Sequence, residues 1–309
     1  MNITRFRKQL GLLRQPSLHV LLLFLLSGCA TSNIASRYEA LDKFVHAEEF
    51  RASSSQAEIV TRKFGKLFPD AYDASSLERQ SAADLDWLFR AANVAAEYGA
   101  EGGTDSMVAA YEALQGRNEV SDFHRYYLYR AHMIDRSWDQ ANALADERPD
   151  DDVERIPVPS DLVPTGYSGP TVLEVHPNDM SLRRVPMSLG GGRRIVVAFH
   201  PNCHFSRNAL EAIAGQVEST LLLGRLGVLV SPPESLIPLR DQAKWNRERP
   251  DLPMVTAYTT EEWEPFSFLQ TPGFYFVDEG RIVGELVGWP ADRKASEFLD
   301  AAREAGFVP

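Results

Sequence analysis

The run Arg194-Ile195-Val196-Val197-Ala198-Phe199 passes directly into His200-Pro201-Asn202-Cys203-His204-Phe205-Ser206-Arg207. The first part is continuous hydrocarbon, the pattern of a central strand buried on both faces. Leu210, Ile213, Ala214 and Val217 then recur at helical spacing, so a helix is predicted after a short loop. Cys203 falls at the first turn of that helix. There it meets the positive end of the helix dipole and several free backbone N–H groups. That setting favours the thiolate, the reactive form of cysteine. Protonated His200 or His204 would favour it further.

On either side of this junction, strands and helices alternate. Thr171 to Val175 reads as a strand, Pro177-Asn178-Asp179 as a turn, and Leu182 to Leu189 as a return strand. Gly190-Gly191-Gly192 precedes a strand rather than a helix and is a turn. Beyond the helix, Gly227-Val228-Leu229-Val230 is a short strand and 234–248 is helix-compatible. Gly273 to Val277 and Ile282 to Val287 form a hairpin around Asp278-Glu279-Gly280. A last helix is predicted from Asp292 to Ala305. The order β-β-β-α-β-α-β-β-α predicts an α/β domain with a mixed central sheet over 171–309.

This half of the chain resembles the thioredoxin superfamily, in particular its extracytoplasmic, membrane-anchored branch. The strand-loop-helix with Cys203 matches the active-site position of that family. Thr271-Pro272, just before a strand, matches its cis-proline, which faces the active cysteine and lines the substrate groove. Phe274 to Gly288, followed by Trp289, matches its closing strands, and 171–189 matches the extra hairpin of the extracytoplasmic branch. The resemblance implies Cys203 and Ser206 as catalytic residues and Thr271 and Pro272 as substrate-binding residues, with no cofactor.

The departures from the family redirect the function. Cys-x-x-Cys is replaced by Cys203-His204-Phe205-Ser206, and Ser206 cannot resolve a mixed disulfide. The usual tryptophan before the motif is absent, and Val197 stands where many thioredoxins carry a buried acid. The chain's other cysteine is Cys29, so a self-sufficient dithiol reductase is excluded.

The N-terminus accounts for Cys29. Arg5, Arg7, Lys8 and Arg14 precede the apolar run Leu18 to Leu26, which is too short to span a bilayer. Leu26-Ser27-Gly28-Cys29 then resembles the lipobox of bacterial lipoproteins. The resemblance implies a signal peptide over 1–28, lipidation of Cys29 and a tether over 29–37. It also implies a periplasm-facing membrane anchor, and Ala30 suggests outer-membrane sorting. Loss of the four basic residues would leave 28 basic against 43 acidic. Such an acidic body argues against a nucleic-acid partner.

Residues 38–147 read as an all-α, helical-repeat-like domain. Leu85, Leu88, Phe89, Ala92 and Ala96 follow a capping-box-like Ser81-x-x-Asp84, and Met107, Ala110, Tyr111 and Leu114 follow Gly102-Gly103-Thr104. The segment from Tyr127 to Pro149 resembles half of a tetratricopeptide-type repeat, and an irregular bundle fits equally. The stripe Phe123, Tyr126, Tyr127 and Tyr129 is expected to be core. Residues 148–170 carry five prolines and a block of acids. They read as a linker or surface strap.

Three functional readings follow. In the first, Cys203 is a monothiol nucleophile exchanging disulfides with extracytoplasmic proteins or small thiols. In the second, the domain is a non-catalytic scaffold whose helical half binds a protein. In the third, His200, Cys203 and His204 hold copper or zinc.

Overall fold

The computed structural model describes residues 33–47, 50, 56–147, 153–233, 236–268 and 270–308. The sequence around Cys203 folds as its pattern dictates. Strand β4 (Arg193–Ala198) has Ile195, Val196, Val197 and Ala198 all fully buried. It is covered on both faces because alternate side chains enter different cores. Ile195 and Val197 pack with residues of three helices, α8 (His204–Ala214), α9 (Val217–Leu226) and α11 (Ala295–Glu304). Val196 and Ala198 pack with Trp263 and Phe266 on the other face.

Four further strands surround β4. β5 (Gly227–Ser231) pairs with it in parallel and β7 (Gly273–Asp278) antiparallel. β6 (Met254–Ala257) extends the parallel run after α10 (Leu239–Glu248). β8 (Arg281–Val287) closes a hairpin with β7. Glu279 and Gly280 in that turn both have positive φ, 49° and 79°, as a two-residue primed turn requires. β2 (Thr171–Val175) joins β6 antiparallel, β3 (Leu182–Pro186) pairs with β2, and the short β1 (Ser160–Asp161) pairs with β3. The full order is β1-β3-β2-β6-β5-β4-β7-β8, a thioredoxin-like α/β sheet with mixed strand directions.

Before the sheet lies an all-α region, α1 (Asn33–Val45), α2 (Gln56–Leu67), α3 (Ala74–Arg79), α4 (Ala82–Glu97), α5 (Gly103–Gln115), α6 (Asp122–Ile134) and α7 (Trp138–Glu147). The Ser81 side chain caps α4 by accepting from Asp84 N–H, as its sequence predicts. Gly103 lets α5 press on α4. A Cβ there would lie 2.6 Å from the Ala96 nitrogen.

The helical and sheet regions share one apolar core. Leu173, Val175, Leu182, Ile237 and Leu239 belong to the same buried cluster as Leu85, Phe89, Leu128 and Met133. Arg136, at φ 59° and nearly buried, spans the junction. Its guanidinium donates to the carbonyls of Met133, Pro233, Ala257 and Tyr258 at 2.8–3.0 Å.

Several sequence expectations need correction. The tether over 29–37 gives way to helix from Asn33, with Ala35 buried. The return strand ends at Pro186, not Leu189. Val217 does not continue the Cys203 helix, because the chain breaks at Gly215 and Gln216 and begins α9, an element the pattern did not reveal. β6 was also missed, being only four residues long. The helix expected over 234–248 starts at Leu239, after Pro238 as N-cap, and the last helix covers Ala295–Glu304.

The stretch after residue 152 is an extended strap fastened to both regions. Asn142 bonds the Ile156 N–H and carbonyl at 2.8 and 2.9 Å, and Ser160–Asp161 adds an edge strand. Tyr129 is core, donating to the Glu154 carbonyl, but Phe123, Tyr126 and Tyr127 are only half-buried. Cys29, the rest of 1–32, and 148–152 lie outside the described residues.

Candidate functional site

β4 ends at Ala198, and Phe199 to Asn202 carry the chain over to α8. Cys203 is the N-cap of α8, in extended geometry, and its side chain makes no capping bond. Its sulfur is partly buried, and the thiol donates to the Thr271 carbonyl at 3.5 Å. The Thr271–Pro272 peptide is cis. The fold therefore brings Cys203, Ser206, Thr271 and Pro272 together across 68 residues of chain, as the family resemblance implied.

The electrostatics at the sulfur oppose one another. Burial pushes the thiol up. Hydrogen bonding, first with Thr271 and then with the backbone of Ser206 and Phe205, outweighs burial, and the thiol lies below its ordinary value. Ser206 is fully buried, and its hydroxyl has no hydrogen-bond partner. A thiolate is the acceptor this hydroxyl lacks.

The histidines contribute less than their spacing suggests. His200 is pushed below its ordinary value by burial, so it is neutral near pH 7 and supplies no positive charge. Its Nδ1 accepts from the Asn202 N–H at 3.2 Å. His204 is exposed and stacks on Phe205, with ring centroids 3.8 Å apart. Among the described residues no three His, Cys, Asp or Glu side chains are grouped to hold a metal. His200, Cys203 and His204 thus do not form the site their sequence proximity suggested. Val197, where a buried acid would sit, is fully buried in hydrocarbon.

A second constellation was invisible in sequence. At the start of α6, the Ser121 N–H donates to His124 Nδ1 at 3.0 Å, which fixes the ring proton on Nε2. Nε2 then faces Asp86 Oδ1 at 2.8 Å. Burial pushes Asp86 up, and hydrogen bonds from Arg90 and His124 outweigh it and hold the carboxyl below its usual value. The Ser121 hydroxyl lies 3.0 Å from Nδ1. Ser, His and Asp in a chain are the residue types of hydrolytic triads. Here the Nδ1 lone pair is already engaged by a backbone N–H, so the ring is a poor acceptor for the hydroxyl proton. This is a capping box with a buried histidine as its N3 partner.

Sequence reasoning also missed a cavity beside α8. About 280 Å³ in volume, it is bounded by α8, α9 and the Trp245–Leu252 segment. Only the three-dimensional meeting of α9 with α10 creates it.

No protein-family model matches the chain, and no curated protein does. Among solved structures it is similar to a thioredoxin-like protein from Bacteroides caccae ATCC 43185, at 10% identity and a TM-score of 0.28, over 94% of this chain and 98% of the other. The superposition is loose, and the fold assignment rests on the strand order and connectivity above.

Proposed function

We propose that this chain is a lipid-anchored, extracytoplasmic thioredoxin-like protein whose Cys203 exchanges disulfides as a monothiol. The supporting observation is the buried Ser206 hydroxyl, unpartnered beside a sulfur already biased towards the thiolate.

In the first step the Cys203 thiolate attacks one sulfur of a disulfide R–S–S–R′. The Cys203–S–S–R bond forms, the S–S bond of the substrate breaks, and R′–S⁻ leaves with the electron pair. The Ser206 hydroxyl and the first-turn N–H groups hold the thiolate before attack. Thr271 and Pro272 position the substrate's backbone. In the second step an external thiolate R″–S⁻ attacks the mixed disulfide, releasing R–S–S–R″ and restoring the Cys203 thiolate. Ser206 carries no sulfur, so the mixed disulfide persists until that thiol arrives. The partners are extracytoplasmic thiol or disulfide proteins, and the anchor is a lipid on Cys29.

The direct test is alkylation of Cys203 as a function of pH in the full chain carrying Cys29→Ser. A midpoint below the ordinary thiol value of ~8.5 is expected. A midpoint at or above that value sinks the nucleophile. For the anchor, incorporation of labelled palmitate that disappears in Cys29→Ala is the expected result.

A further inference from the structure

The cavity beside α8 lies on the same helical face as the reactive sulfur. Cys203, Arg207, Leu210 and Ala214 follow one another at i, i+4, i+7 and i+11, and the last three line the cavity. Leu223 of α9, Trp245 of α10 and Leu252 supply apolar walls. A dry cavity of ~150 Å³ accommodates a benzene ring, so about 280 Å³ accommodates one aromatic side chain with room to spare.

Its rim is charged and unspent. Arg207 and Glu211 on one side and Asp251 on the other form no ion pair or side-chain hydrogen bond among the described residues, and Arg249 lies over the Trp245 ring. The contrast with a second cavity, about 530 Å³, is informative. There Arg155 pairs with Asp146, and Arg240 with Glu154. Charges of both signs left unpaired around an apolar pocket complement a ligand that carries both signs around an apolar group, as a polypeptide does. Beside the mouth, Val217 and Leu221 of α9 are 76% and 68% exposed. They add apolar surface that a small molecule would not need.

We propose that this pocket docks the polypeptide that Cys203 engages, taking one aromatic or large aliphatic side chain set about three residues from that partner's cysteine. The spacing follows from the geometry. Seven residues of helix from Cys203 to Leu210 rise ~10 Å, which about three residues of extended chain span at ~3.3 Å each. This inference rests on the monothiol reading and names its substrate class.

The test uses the full chain with Cys29→Ser, so that Cys203 is the sole thiol. Synthetic peptides carry one cysteine as a mixed disulfide with thionitrobenzoate, and one phenylalanine placed one, three or seven residues from it, with alanine as reference. Attack of the Cys203 thiolate on the peptide sulfur forms the Cys203–peptide disulfide and releases thionitrobenzoate, the better leaving group. No other oxidant is consumed, and release is read by absorbance. A rate at least tenfold above the alanine peptide is expected at spacing three alone. Ala214→Trp, which plugs the mouth, should return that rate to the alanine value and leave the rate with Ellman's reagent unchanged. The spacing series needs no variant, so a poorly folded Ala214→Trp does not spare the proposal. A flat series with fast reaction of Ellman's reagent overturns the docking site and leaves the nucleophile standing. Slow reaction of Ellman's reagent at every pH overturns both.

Discussion

Two helix starts in this molecule have opposite finishes. At the start of α6, Ser121 is the N-cap and its capping groups are engaged: its N–H meets His124, and His124 meets Asp86. At the start of α8, Cys203 is the N-cap, makes no capping bond, and leaves a fully buried hydroxyl at Ser206 unpartnered. Both positions begin with backbone N–H groups that have no partner within the helix. The first site spends them on stability. The second has no side-chain cap, which leaves its first turn open to the proposed thiolate. A Ser-His-Asp chain is therefore the structural site here, and a Cys with fewer bonds is the proposed chemical one.

The comparison breaks first if the roles exchange. Cys203→Ala should abolish thiol reactivity in the Cys29→Ser background, and Ser121→Ala should leave the alkylation rate unchanged. Loss of alkylation in Ser121→Ala would undo the contrast. Stability should respond in the opposite sense. His124→Ala removes a buried ring and one of the two hydrogen-bond partners of Asp86, at an expected cost of about 2–3 kcal/mol by denaturant unfolding, and Ser121→Ala about 1 kcal/mol.

Ser206→Ala is the sharper probe. It removes a donor to the thiolate, so the Cys203 pKa rises and alkylation near pH 7 slows roughly two- to fivefold. Because the lost hydroxyl had no partner in the thiol form, stability below pH 7 should be unchanged or higher by up to ~1 kcal/mol. A clear loss of stability would mean that the hydroxyl serves the fold. Ser206→Cys, in the same position, should form a reducible disulfide with Cys203, detectable as two thiols that disappear on oxidation.

The smallest effect is a pH dependence in the helical region. Burial pushes His132 below its ordinary value of 6.5. The unfolded chain therefore takes up this proton first as pH falls. The stability that neutral His132 contributes is complete above pH 6.5 and declines below it. His132→Gln should flatten that decline in urea midpoints measured from pH 7.5 to 5. Cys203 has the same sign in a higher window. Its folded pKa is depressed, so its contribution appears as pH rises through that value and is complete above the ordinary thiol range. The difference between parent and Cys203→Ala reads it.

The turn at Cys203 was legible in sequence because its signals are local. An apolar strand, a cysteine at a helical first turn and a Thr-Pro before a strand each occupy a few adjacent residues, and the fold joins them as expected. The misses have non-local causes. β6 is four residues long and is defined by pairing with β5 and β2 rather than by its own alternation. The helix after Gly215 was absorbed into its predecessor because Val217 falls in helical register with it. The His200, Cys203 and His204 set was suggested by sequence proximity, yet those side chains face a backbone N–H, a carbonyl and an aromatic ring. The cavity beside α8 belongs to three elements and leaves no trace in any one of them.

Arg136 gives the molecule a mechanical property. Its guanidinium is bonded to carbonyls contributed by α6, by the segment after β5 and by the end of β6 with the residue that follows, and one apolar core runs beneath it. Pulling the helices off the sheet would strand a buried cation and open that core in one event, so melting should be a single cooperative transition by calorimetry. A protease cut within 157–160 should yield fragments that still co-elute. Load that reaches the N-terminal helices is thus passed to the sheet through that shared core and the Arg136 contacts.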